Sequence, residues 1–78
     1  MSHTPHELAD EFPQDAQRIH DLKSANAHFA RLCEQYHEIN RAIHRAETRV
    51  DVVVEEHEAA LRRQRLALKD QIASMLAA

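Results

Sequence analysis

Between Ile19 and Val50 the chain keeps a strict three–four spacing through Ile19, Leu22, Asn26, Phe29, Cys33, Tyr36, Asn40, Ile43, Glu47 and Val50. Side chains three and four apart line one edge of an α-helix, so this ladder reads as the a/d seam of a coiled coil. Seven of the ten positions are apolar, and Asn26, Asn40 and Glu47 all fall on a positions. A long helix with one sticky edge needs a partner, because helix propensity alone rarely holds it together in water. The absence of Gly, with Pro5 and Pro13 as the only prolines, leaves few places for a turn.

The partner helix is expected within the same chain. Asp51 is a candidate N-cap, Glu55, Glu56 and Glu58 suit the positive end of a helix dipole, and Val54, Leu61, Leu68, Ile72, Met75 and Leu76 form a second one-sided stripe. Valines at 50, 52, 53 and 54 weaken helix propensity through their stiff χ1 angles, which places the turn there. The expected fold is all-α: an antiparallel two-helix hairpin, coiled-coil-like, with a helix at about 13–47, a turn at about 48–52 and a helix at about 53–76. The first helix would then be a rod of roughly 50 Å. The hairpin, residues 13–78, follows a short N-terminal helical segment, residues 1–12. In that segment Thr4-Pro5-His6-Glu7 has the pattern of a capping box, with Leu8 and Phe12 as apolar contacts, before Pro13 blocks continuation.

With the turn near Asp51, Ile43 should face the region of Ala59, Tyr36 should face Leu66, Cys33 Lys69 and Phe29 Ala73. Ile19 and Leu22 then project past the end of the second helix, covered only by the N-terminal Leu8/Phe12 segment or by another chain, and a two-helix core of this size is thin. Self-association or an unidentified protein partner is therefore expected, with Leu8, Phe12, Ile19, Leu22, Asn26 and Asn40 as candidate contacts. Polar residues at a positions often fix register or oligomer state, which is the role expected for Asn26 and Asn40. The alternative is that both face solvent and that Leu32 and Ile39 supply the core.

Two segments carry a family resemblance. Tyr36-His37-Glu38-Ile39-Asn40-Arg41-Ala42-Ile43-His44-Arg45-Ala46-Glu47 and Leu61-Arg62-Arg63-Gln64-Arg65-Leu66-Ala67-Leu68-Lys69-Asp70-Gln71-Ile72 closely resemble the YdcH-like family of small bacterial proteins. The resemblance spans about residues 14 to 76, is most specific at Arg65 to Asp70, and extends to the opening His6 to Pro13. It implies a cytosolic helical hairpin and no established activity. The Val52-Val53-Val54 run departs from the more polar turn expected of the family.

The chemistry on offer is sparse. Basic and acidic side chains number 10 and 13, a formal net charge of −3 with neither half strongly charged, so general attraction to a polyanion is not expected. Arg41, Arg45 and Arg49 make a stripe on the first helix, and Arg62, Arg63, Arg65 and Lys69 cluster on the second; these are the candidate nucleic-acid contacts. A solvated, internally paired face is the simpler reading, since one Tyr and two Phe at apolar positions make no stacking platform. Glu34-x-x-His37, with His44 one heptad on, matches half of a di-metal motif, but no second half follows, so neither metal nor cofactor is expected. Cys33 sits at an a position, which favours a buried, inert thiol, and with no concave pocket expected the chain is read as a non-enzyme. No run approaches the roughly 20 apolar residues of a membrane span. The N-terminus lacks the basic and apolar regions of a signal peptide, and a lone Cys33 cannot form an internal disulfide, so the expected location is the cytoplasm.

Overall fold

The computed structural model describes residues 4–48 and 52–78. Among these residues there are four α-helices: α1 (Leu8–Glu11), α2 (Ala16–Ala25), α3 (Ala27–Glu47) and α4 (Glu55–Ala77), with a 3-10 turn at Pro13–Asp15. No described residue lies in a strand, so the all-α class holds.

The expected single helix over 13–47 is instead two. At Asn26 the backbone turns extended (φ −137°, ψ 109°), and its side-chain Oδ1 accepts a hydrogen bond from the Phe29 amide at 3.1 Å. Asn is a favoured N-cap because its short carboxamide satisfies an amide that a helix start otherwise leaves unpaired. The seam position expected to set oligomer register is thus the corner at which α2 ends and α3 begins. Beyond it α3 is about 31 Å long, and the whole molecule extends only 37 Å along its longest axis, in place of the expected rod.

The bend also decides the fate of Ile19 and Leu22, which were expected to project past the second helix and to be covered by the Leu8/Phe12 segment or by another chain; they join Leu8 and Phe12 in one cluster. Ile19 is buried and Leu22 packs against the core, because α2 turns back along α3. Arg18 locks this arrangement. Its Nε donates to the Leu76 carbonyl at 2.8 Å and a terminal nitrogen donates to the Ala78 carbonyl at 2.7 Å. Carbonyls in the last turn of a helix have no intrahelical donor, and a cation there also suits the negative end of the dipole.

The core consists of Phe29, Leu32, Cys33 and Tyr36 on α3, Leu68, Ile72 and Leu76 on α4, and Leu8 and Ile19 from the N-terminal region. Ile43 is also fully buried. The second stripe holds at Leu68, Ile72 and Leu76, but Val54 is mostly exposed and serves as the N-cap residue of α4. Leu66, expected opposite Tyr36, is 59% exposed, and Arg65 is the side chain that turns inward there. The expected cap Asp51, the seam residue Val50 and Arg49 lie outside the described residues, as does most of the expected turn.

Candidate functional site

The most constructed polar arrangement lies where α3 and α4 meet residues 5–12. Asn40, 1% exposed, is its centre: Nδ2 donates to the Pro5 carbonyl at 2.9 Å, and Oδ1 accepts from Arg65 Nη1 at 2.9 Å. One helical turn earlier, the Tyr36 hydroxyl donates to the His6 carbonyl at 2.5 Å. Two successive main-chain carbonyls are thus held by side chains rather than by a helix of their own. A buried carboxamide left half-paired would cost the desolvation of the unpaired group, so these contacts require one another.

Two glutamates facing basic side chains flank this centre. Glu7 Oε2 lies 2.7 Å from His37 Nδ1, and Glu11 Oε1 accepts from Lys69 Nζ at 3.2 Å while lying 3.2 Å from His6 Nδ1. Partial burial pushes the Glu11 carboxyl up, but the hydrogen bonds from Lys69 and His6 outweigh it, and the group lies below its ordinary value of 4.5. Lys69 also stands 6.0 Å from the centre of the Phe12 ring. Tyr36 is pushed up to about 12, chiefly by burial and then by the charge of Glu11. Leu8 inserts between these polar groups into the core.

The local structure of residues 4–11 departs from the expected capping box. His6 takes φ 63°, in the left-handed region, and the helix begins only at Leu8, after an extended Glu7 that makes no capping bond. Glu7 is drawn to His37 instead of reaching back towards Thr4. Pro5, His6, Glu7 and Glu11 were not among the expected partners of α3 and α4. The available signal was the amphipathic His6-Glu7-Leu8-x-x-Glu11-Phe12 pattern, whose acids flank a single apolar anchor.

The candidate contact residues are placed as follows. Leu8, Ile19 and Asn40 are buried, Phe12 and Leu22 pack against the core, and Asn26 is the corner residue. Among the basic candidates, Arg62 pairs with Glu47 at 2.9 Å and with Glu58 at 3.5 Å, Arg65 is bound to Asn40 and Lys69 to Glu11. Arg41, Arg45 and Arg63 are on the surface. Cys33 is fully buried, and burial pushes its thiol up, away from reactivity. Among the described residues no three His, Cys, Asp or Glu side chains converge as a metal ion requires, and no helix is long and apolar enough to cross a membrane.

A second feature lies along α3 and α4. Gln35, Glu38, Ile39, Gln64, Ala67, Leu68 and Gln71 line a cleft of about 390 Å³ between the two helices. The N-terminal region does not fill it.

The fold and these sites define a small all-α protein whose two longest helices are packed together and strapped by the N-terminal segment. The chain belongs to the family described as a protein of unknown function, DUF465, whose family model matches residues 29–76; this is the YdcH-like family that the sequence resembles. The match takes in Tyr36, Asn40, Arg65 and Lys69 and leaves out residues 4–12. No curated protein and no solved structure matches the chain.

Proposed function

We propose that this protein is a non-enzymatic, cytoplasmic interaction module built on an antiparallel, coiled-coil-like helical hairpin that self-associates. The antiparallel arrangement is supported by the order of contacts: Glu47, at the end of α3, meets Arg62, early in α4, while Asn40, further back along α3, meets Arg65. One observation carries the self-association. The pair is covered by α1 and α2 on part of its surface, whereas the cleft at Ile39, Ala67 and Leu68 is framed by Gln35, Glu38, Gln64 and Gln71 and left open. Such a seam suits a second copy, in which apolar residues meet and amides exchange hydrogen bonds at the edges. Ala67→Glu would put a charge into that cleft with little loss of helix propensity. Light scattering is expected to give a multiple of the 9.0 kDa chain mass for the native protein and the monomer mass for the variant. A monomeric native protein would remove the self-association.

Nucleic acid is the alternative partner, through the Arg stripes on the two helices, of which Arg41, Arg45, Arg62 and Arg63 are exposed. Salt-dependent retention on RNA or DNA, lost when Arg41, Arg45 and Arg63 become Gln, would favour it.

A further inference from the structure

We propose that Tyr36, His37, Asn40, Arg65 and Lys69 form a peptide-recognition site for an acidic, amphipathic helical segment of a partner protein, which residues 4–12 occupy as a removable internal competitor. The proposal deepens the interaction-module reading and rests on it. Two side chains, Asn40 and Tyr36, bind the carbonyls of Pro5 and His6, groups that any peptide presents. Specificity falls to the neighbours: Leu8 fills an apolar pocket, while His37 and Lys69 each face a carboxylate, those of Glu7 and Glu11, one helical turn apart. A lysine and an imidazole nitrogen beside an apolar pocket, with main-chain acceptors required at its buried end, call for an acid-Leu-x-x-acid ligand entered by an extended stretch.

The occupant is poorly held by its own structure. α1 is four residues long, far below the length at which a helix stands alone, and His6 adopts a conformation that non-glycine residues avoid. Both features persist only while the clamp enforces them, which is the situation in which strain favours exchange for another ligand. The clamp residues lie within the stretch matched by the family model and the strap lies outside it, so site and occupant are separable pieces of sequence.

The test uses the full chain and a fluorescein-labelled peptide with the sequence of residues 4–15. In Glu7→Gln/Glu11→Gln the strap loses the carboxylates that face His37 and Lys69, and the clamp is untouched. Hydrogen exchange of residues 4–12 is expected to accelerate while α3 and α4 stay protected. The variant should bind the peptide about tenfold more tightly than the native chain, because a larger fraction of sites is vacant. Adding Arg65→Ala, or giving the peptide Lys in place of both Glu, should reverse that gain. Faster exchange without a gain in peptide affinity overturns the proposal, and so does unchanged exchange. Loss of protection throughout α3 and α4 also overturns it, by making the strap integral to the fold. A variant that dimerises and excludes the peptide assigns the clamp to a second copy instead. The Ala67→Glu experiment reads the opposite cleft, so failure here leaves the self-association reading standing.

Discussion

The α3–α4 pair and the N-terminal region, residues 4–25, are built on different terms. The pair supplies most of the apolar core, with Phe29, Cys33, Tyr36, Ile43 and Ile72 fully buried. The N-terminal region contributes only Leu8 and Ile19 to that core, and its main service is polar. It delivers the Pro5 and His6 carbonyls to Asn40 and Tyr36, and Arg18 to the carbonyls at the end of α4. The difference teaches that the pair supplies its own burial, while the buried polar groups of Asn40 and Tyr36 are completed from outside the matched stretch. Every buried side-chain polar atom among the described residues has a partner, and that completeness depends on the strap.

The widest contrast is drawn by truncating one core residue in each region. Phe29→Ala should cost about 3–5 kcal/mol, and Leu8→Ala about 2–5 kcal/mol, nearer the lower figure because a one-turn helix can settle into the space left. Chemical denaturation followed by circular dichroism should show α3 and α4 surviving to higher denaturant in Leu8→Ala than in Phe29→Ala. A Leu8→Ala chain as unstable as Phe29→Ala would mean that the strap belongs to the core of the pair and is not a removable cover.

Asn40→Leu sharpens the same point through polarity. The substitution leaves the Pro5 carbonyl and the Arg65 guanidinium without their buried partner, at a cost of about 1–3 kcal/mol. A neutral or stabilising result would mean that water or a rearranged side chain completes both groups, and that Asn40 does not tie the two regions together. Asn26→Ala tests the corner between them, with an expected loss of about 1 kcal/mol from the missing cap. Its helix content should stay near the native value, since α3 has seven buried residues to hold it.

How far local spacing can be trusted is visible at the two asparagines. Both sit at seam a positions, and both were expected to fix register or to face solvent. Asn40 is buried, and its bonds tie α4 and the strap to α3, which local periodicity half revealed. Asn26 caps a helix instead, a role Asn fills as readily as a coiled-coil a position, so its identity could not separate the two. What decides is the return of α2 along α3, secured by Arg18 on carbonyls 58 and 60 residues away. The seam from Phe29 to Ile43 and the stripe Leu68–Ile72–Leu76 were legible because the same periodicity governs both helix and core. The clamp was not, since Thr4-Pro5-His6-Glu7 satisfies local capping chemistry as well as it satisfies Asn40, Tyr36 and His37.

The smallest expected effect concerns pH and the ionic side of the strap. Glu11 titrates below its ordinary value of 4.5 in the fold, because bonds from Lys69 and His6 outweigh its burial. A carboxyl depressed in the folded state binds protons more readily when unfolded, so its contribution is complete above the unfolded value and is lost as pH falls through the folded one. Melting temperature should therefore fall on acidification below about pH 4.5, and Glu11→Gln should flatten part of that fall while lowering stability slightly at neutral pH. The slight size follows from the partial exposure of the Glu11–Lys69 pair, whose side chains are 22% and 36% exposed and screened by solvent. Hydrogen exchange places the effect: residues 4–12 should lose protection on acidification before α3 and α4 do. Simultaneous loss in both regions would mean that this carboxylate stabilises the whole domain and does not hold the strap in particular.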